Sequence, residues 1–282
     1  MNDNMIAVVG AGTMGHGIAQ LAAESGFEVQ MIDVSSAALE VGLTSINKTL
    51  ERAVSRDKIT SEEATMTLDR LTIETDFGNL SQVQLVIEAA SENPDVKRKI
   101  FSELNEADDA NAILASNTSS ISLTEIAAAS GRPEQVIGMH FFNPAPVMSL
   151  VEIIRALQTS DETFAATKAI ALQMGKSPVE VKDSPGFVVN RMLVPMINEA
   201  IFVYSEGIAS VEDIDAAMKL GANHPMGPLA LADLVGLDIC LSVMEVLNNE
   251  FADSKYRPCP LLKKMVSAGY LGRKSGRGFY SY

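Results

Sequence analysis

Through the first two thirds of the chain, short apolar runs at 6–9, 28–32, 83–88, 112–116, 136–140 and 150–154 alternate with longer stretches in which apolar residues recur every three to four positions. The long stretches lie at 14–25, 37–56, 61–71, 94–106, 123–129 and 161–174. Short buried strands alternating with amphipathic helices predict βαβ units and a largely parallel, doubly wound sheet. From Pro185 the alternation stops and long apolar helices are expected at 187–204, 211–219 and 229–251, with turn signals at Gly207, Gly221, Pro225 and Gly227-Pro228. The expected fold class is therefore α/β: a doubly wound domain over 1–184 and a smaller all-helical domain over 185–282. The helix at 187–204 is apolar almost all round, with Val188, Val189, Met192, Leu193, Met196, Ile197 and Phe202. Such a helix must be buried in its own domain or against a second copy, and a homodimer through the C-terminal helices is the expectation.

Composition narrows the class. The 282 residues are 47% hydrophobic, enough for a real core, and carry 22 Lys plus Arg against 36 Asp plus Glu, a net charge of −14. That balance argues against nucleic acid as a partner, because neutralising phosphates requires an excess of basic residues. No apolar run approaches the roughly 18 residues that span a bilayer, so no membrane partner is expected. The opening Met1-Asn2-Asp3-Asn4 lacks the basic start of a secretory leader, and with only Cys240 and Cys259 there is neither a disulfide framework nor a metal knuckle. A cytoplasmic protein without a metal is expected. Within this acidic chain Lys48, Arg52 and Arg56 recur at i, i+4 and i+8 as one basic stripe, either a solvated helix face or the seat of a polyphosphate tail.

Gly10-Ala11-Gly12-Thr13-Met14-Gly15 follows the first strand directly and opens a helix, the context in which a GxGxxG pattern binds a dinucleotide. Gly10 permits the tight turn, Gly12 lets the backbone approach a pyrophosphate, and Gly15 allows close packing of helix on strand. The amides of Thr13 and Met14 open the helix N-terminus that meets the anion. Asp33 ends the second strand 18 residues beyond Gly15, where a carboxylate accepts from a ribose diol and repels a 2′-phosphate. NAD is expected rather than NADP, with Val34, Ser35 and Ser36 leaving room for a phosphate as the open alternative.

Hydride transfer to a nicotinamide requires a group that takes the hydroxyl proton, and histidine suits neutral pH. Of the three histidines, His16 sits in the first turn after the glycine loop and His224 in the turn at 221–225, whereas His140 ends an apolar strand at the carboxyl edge of the sheet, where doubly wound folds place their sites. Glu152 lies inside the apolar run Leu150-Val151-Glu152-Ile153-Ile154, a costly place for a carboxylate unless it is paired. A Glu152–His140 pair resolves both. Asn190 is an amide in an apolar helix beside the domain boundary, suited either to satisfying a neighbouring helix end or to binding a substrate oxygen. Asn117-Thr118-Ser119-Ser120 follows another strand end. Helix capping by Ser120 or Ser122 is compatible with a catalytic Ser119.

These segments, together with His140-Phe141-Phe142-Asn143-Pro144, Pro185-Gly186-Phe187-Val188-Val189-Asn190-Arg191 and Gly272-Arg273-Lys274-Ser275-Gly276-Arg277-Gly278-Phe279-Tyr280, resemble the L-3-hydroxyacyl-CoA dehydrogenase family over essentially the whole chain. The resemblance implies a Rossmann-like domain and NAD-dependent interconversion of a (3S)-3-hydroxyacyl-CoA and its 3-ketoacyl-CoA. Within that family the compact single-function length resembles the bacterial members that act on the four-carbon pair, 3-hydroxybutyryl-CoA and acetoacetyl-CoA. It further implies that His140 is the general base, Glu152 its partner, Ser119 a contact to the substrate hydroxyl and cofactor, and Asn190 a contact to the substrate's carbonyl side. Cofactor contacts carry over to Asp33, Glu92, Lys97, Asn143 and Lys274, and the Lys48, Arg52 and Arg56 stripe to the CoA tail. Two alternatives remain at this point: a related β-hydroxyacid dehydrogenase acting on a free acid, and a nucleotide-binding or structural relative without activity. No lysine lies between Asp183 and Lys219, which disfavours the free-acid enzymes that use a catalytic lysine near Asn190.

Overall fold

The computed structural model describes residues 4–78, 80–107 and 112–282, so the first three residues of the opening segment lie outside the described residues. The chain forms two compact units that meet between Asp183 and Ser184.

The first unit is an eight-stranded sheet in the order β3-β2-β1-β4-β5-β6-β7-β8. Its strands are β1 (Met5–Val9), β2 (Glu28–Ile32), β3 (Leu71–Glu74), β4 (Val83–Glu88), β5 (Ile113–Ser116), β6 (Val136–Phe141), β7 (Leu150–Arg155) and β8 (Ser177–Lys182). The helices between them are α1 (Thr13–Glu24), α2 (Ser36–Val54), α3 (Ser61–Asp69), α4 (Pro94–Ala107), α5 (Leu123–Ala129) and α6 (Asp161–Gln173). Pairing is parallel throughout except between β6 and β7. The doubly wound sheet expected from the alternation is present. β1 lies between β2 and β4, so the connections leave it in opposite directions and open a crevice at the carboxyl ends of β1 and β4, where such sheets bind ligands.

Central strands β1, β4 and β6 are apolar almost without a break because helices cover both faces. The two edge strands, β3 and β8, escaped the sequence reading. Leu71-Thr72-Ile73-Glu74 and Ser177-Pro178-Val179-Glu180-Val181-Lys182 are mostly exposed and mix charge with apolar residues, and Pro178 suits a strand with one unpaired side. Leu71, expected as the last residue of a helix, instead begins β3 after α3 stops at Asp69.

The second unit is all-helical: α7 (Val189–Ser205), α8 (Val211–Gly221), α9 (Pro228–Val235), α10 (Leu237–Phe251) and α11 (Pro260–Ser267). The single helix expected over 229–251 is broken at Gly236, whose φ of 105° is open to glycine and strained for any other residue. α11, which the pattern reading passed over, begins with Pro260 at its first position. α7 is not buried all round. Val194, Ile197, Ala200 and Ile201 pack into the unit's own core with Leu229, Leu237, Val243 and Leu247, while Met192 stays 71% exposed.

Candidate active site

The glycine loop and Asp33 form one structure. Gly10 has φ 102°, and a Cβ there would lie 2.8 Å from the Ala89 carbonyl oxygen; a Cβ on Gly15 would overlap the Gly10 carbonyl. Those two glycines let α1 and β4 close on the turn. Gly12, by contrast, is exposed and faces open space, with nothing within 4 Å of an added Cβ. It caps α1 without a side-chain acceptor, so the first helical amides point at the crevice. Asp33 accepts hydrogen bonds from the amides of Ala11 (2.9 Å) and Ser35 (2.9 Å), which locks the glycine loop to the end of β2. A carboxylate has about four acceptor sites, so capacity remains for a diol. A cavity of about 690 Å³ opens here, lined by Gly10, Gly12, Asp33, Val34, Ala90 and Phe77 among others. An anion-ready helix end, a bare glycine, a carboxylate and a mainly apolar pocket fit a dinucleotide such as NAD.

β6 and β7 bring together the histidine and the carboxylate expected to act as a pair. Their antiparallel register sets His140 directly opposite Glu152. Nδ1 of His140 lies 2.8 Å from Oε2 of Glu152, with the residues 5% and 1% exposed. The contact engages Nδ1 and fixes the orientation of the ring. The Phe142 ring packs against the imidazole at 4.6 Å between centroids.

Glu92 organises the loop that carries Ser119. Its Oε1 accepts from the Thr118 hydroxyl (2.7 Å), the Ser119 amide (2.8 Å) and hydroxyl (3.2 Å), and the Ser120 amide and hydroxyl (both 3.0 Å). Oε2 lies 3.4 Å from the Lys97 ammonium. Burial pushes the Glu92 carboxyl up, but Lys97 and the hydrogen bonds from Thr118, Ser119 and Ser120 outweigh it and hold the group below the ordinary carboxylate range. Ser122, not Ser120, caps α5, which leaves Ser119 and Ser120 to Glu92. The Asn117 amide oxygen accepts from the backbone N–H of Phe141 (2.9 Å), tying this loop to the residue after His140.

Lys97 is 1% exposed and held by Glu88 and Glu92. Asn143 is exposed just beyond β6. The loop after it is held from below by the buried Lys176 ammonium, which donates to the carbonyls of Ala145 (2.6 Å) and Met148 (2.8 Å). Lys48 and Arg52 are exposed on α2. Arg56 lies in the turn beyond Val54, so the stripe's third member has left the helix that the sequence predicted to reach it. In the second unit Asn190 is half-buried in the first turn of α7, and Lys274 pairs with Asp238 at 2.7 Å. Glu88, Ser116 and Thr118 were not singled out from sequence. Glu88, a carboxylate ending an apolar strand, gave the same signal as Glu152.

A doubly wound sheet with a glycine loop at its switch point, and a buried histidine–carboxylate pair at its carboxyl edge, defines a dinucleotide-dependent oxidoreductase. The family model for the NAD binding domain of 3-hydroxyacyl-CoA dehydrogenase matches residues 5–184, and that for the C-terminal domain of the same enzymes matches 186–282. The chain is 55% identical over 282 residues to the probable 3-hydroxybutyryl-CoA dehydrogenase of Bacillus subtilis, covering 100% of this chain and 98% of that one. It is 54% identical to 3-hydroxybutyryl-CoA dehydrogenase of Bradyrhizobium diazoefficiens, covering 98% and 94%. Among solved structures it superposes on (S)-3-hydroxybutyryl-CoA dehydrogenase PaaH1 from Ralstonia eutropha with a TM-score of 0.96 at 55% identity, covering 99% of each chain. The chain belongs to the 3-hydroxyacyl-CoA dehydrogenase family and is an NAD-dependent oxidoreductase of hydroxyacyl-CoA.

Proposed function

We propose that the chain interconverts (3S)-3-hydroxybutyryl-CoA and acetoacetyl-CoA, with His140 as general acid and base. The observation that carries this reading is the buried 2.8 Å bond between His140 and Glu152 at the sheet edge that holds the glycine loop. The names of the similar proteins supply the four-carbon acyl chain.

In the oxidative direction Nε2 of His140 takes the proton of the C3 hydroxyl while Glu152 stabilises the imidazolium that forms. Ser119, held by Glu92, steadies the substrate oxygen as it gains negative charge. NAD, when bound, supplies the acceptor for the C3 hydride. Gly10, Gly12, Thr13, Met14, Gly15 and Asp33 hold its adenosine and pyrophosphate end, and Glu92 and Asn143 its nicotinamide end. Asn190 and Lys274 of the second unit are assigned to substrate and cofactor on the family match alone. Lys48, Arg52 and Arg56 meet the CoA phosphates. The enzyme works as a homodimer in the cytoplasm. Exposed apolar side chains on the second unit, Met192, Leu234 and Ile239, support the dimer, and two free, buried cysteines suit a reducing compartment. Among the described residues no helix is long and apolar enough to cross a membrane.

The test is the initial rate of cofactor oxidation with acetoacetyl-CoA, using NADH and NADPH in parallel and free acetoacetate as control. Rapid consumption that requires the CoA thioester and is faster with NADH is expected. Equal rates with free acetoacetate overturn the CoA assignment, and no turnover with either cofactor overturns the reaction.

A further inference from the structure

Besides Glu152, the first unit contains a second fully buried carboxylate that proton transfer does not use. Glu88 ends β4 and is 0% exposed. Its Oε1 accepts from the Ala90 amide (2.7 Å) and the Lys97 ammonium (2.7 Å), and its Oε2 from Lys97 (2.9 Å) and the Ser116 hydroxyl (2.6 Å). All four acceptor sites are thus taken. Burying a charge this deeply is costly unless it organises its surroundings.

Three routes lead from Glu88 to the loop that carries Ser119. Lys97 passes its charge on to Glu92, whose other oxygen gathers Thr118, Ser119 and Ser120. Ser116, while donating to Glu88, accepts from the Thr118 amide at 3.2 Å. The Glu88 backbone carbonyl accepts from the Asn117 amide at 2.7 Å. Side chain and main chain of one residue therefore fix 116–118 from both sides.

We propose that Glu88 is a positioning residue for the dehydrogenase reaction: by holding Lys97 and Ser116 it fixes the Glu92 carboxylate and so presents the Ser119 hydroxyl in a single orientation. The proposal rests on the reading above in which Ser119 contacts the substrate oxygen. A glutamine at 88 keeps one acceptor atom, places an NH2 group against donors it cannot satisfy, and leaves Glu92 as the one carboxylate paired with Lys97.

The test is a double-mutant cycle of Glu88→Gln and Ser119→Ala. It reads kcat and KM with acetoacetyl-CoA and NADH, together with amide hydrogen exchange of the cofactor-free proteins. Glu88→Gln is expected to lower kcat about tenfold with little change in KM, since small displacements of a positioned group act on the transition state. The Ser119 and Ser120 amides should exchange faster while those of β1 keep their protection. In the Ser119→Ala background the effect of Glu88→Gln should shrink to less than about twofold, as for residues acting as one unit. Equal fold losses in both backgrounds, or unchanged exchange at 119 and 120, overturn the proposal. Wild-type turnover of Ser119→Ala alone overturns the reading of Ser119 beneath it, a different failure. Should Glu88→Gln not fold, Ser116→Ala leaves both charges in place; a smaller kcat loss that vanishes in the Ser119→Ala background supports the proposal, and one that persists overturns it.

Discussion

Two buried carboxylates stand on one sheet, Glu88 on β4 and Glu152 on β7 with two strands between them, and they face partners of different kinds. Glu152 faces an imidazole, the side chain suited to trading a proton near neutrality; Glu88 faces an ammonium, a point charge with three donors. The first pair sits across an antiparallel register that leaves the ring one orientation. The second is a hub whose four bonds run to a loop, a helix and the next strand. Under the proposed mechanism, a buried acid beside histidine lets charge change during the reaction. A buried acid beside lysine is arranged so that charge does not change, and what it delivers is geometry.

The largest test of this contrast is His140→Gln. Turnover should fall by about 10³, the middle of the range for a lost general base, while NADH binding measured by fluorescence titration stays near wild type. Turnover close to wild type would remove His140 from the chemistry and erase the contrast. Lys97→Met should act on the fold instead. It strands Glu88 without its cation, and breaking a buried pair in this way costs about 3–5 kcal/mol, to be read from urea unfolding. The variant should also change the response to acid. In the wild type the Glu92 carboxyl, facing Lys97 on α4 and the donors of Thr118, Ser119 and Ser120, is held below its ordinary range. A group depressed in the folded state contributes stability that is present above its unfolded pKa and lost as pH falls through the folded value. Without Lys97 that folded value rises, so the variant should begin to lose melting temperature at a higher pH than the wild type, whose loss comes as pH falls through the range below the ordinary glutamate value. Parallel melting curves across that range would show that Lys97 does not hold Glu92.

What could be read beforehand divides along the same line. The six inner strands, the glycine loop and the His140–Glu152 pair were legible because burial leaves its mark on the chain: apolar runs, a motif in strand–turn–helix context, and one carboxylate out of place among isoleucines and valines. The edge strands β3 and β8 leave no such mark, since each has solvent on one side and reads as mixed loop. The break at Gly236 was invisible for a different reason. A single glycine between Val235 and Leu237 fits a continuous helix by pattern, and only its positive φ divides α9 from α10. Glu92 illustrates the hardest class. Its five donors come from residues 26 to 28 positions away, and only the parallel pairing of β4 with β5 brings the two loops together. Glu88 was within reach of the argument that found Glu152, but no nearby histidine drew attention to it.

The smallest expected effect concerns the basic stripe, where neither burial nor a partner fixes the geometry. Lys48, Arg52 and Arg56 are exposed, and among the described residues none is held in an ion pair. Solvated charges of this kind contribute modestly and are screened by salt. Replacing Arg52 and Arg56 together by alanine should raise KM for acetoacetyl-CoA by about three- to tenfold, leaving kcat unchanged, because charge at a ligand's tail acts equally on ground and transition states. KM for acetoacetyl-pantetheine, which lacks the nucleotide phosphates, should not move. Arg52 continues the helix face of Lys48 whereas Arg56 lies past the helix end in a turn, so Arg52→Ala alone should account for most of the change. Raising the ionic strength from about 0.05 to 0.5 M should shrink the difference from wild type as the Debye length falls. If both thioesters suffer equally, the stripe is a solvated face, and the coenzyme's phosphates are met elsewhere on an otherwise acidic protein.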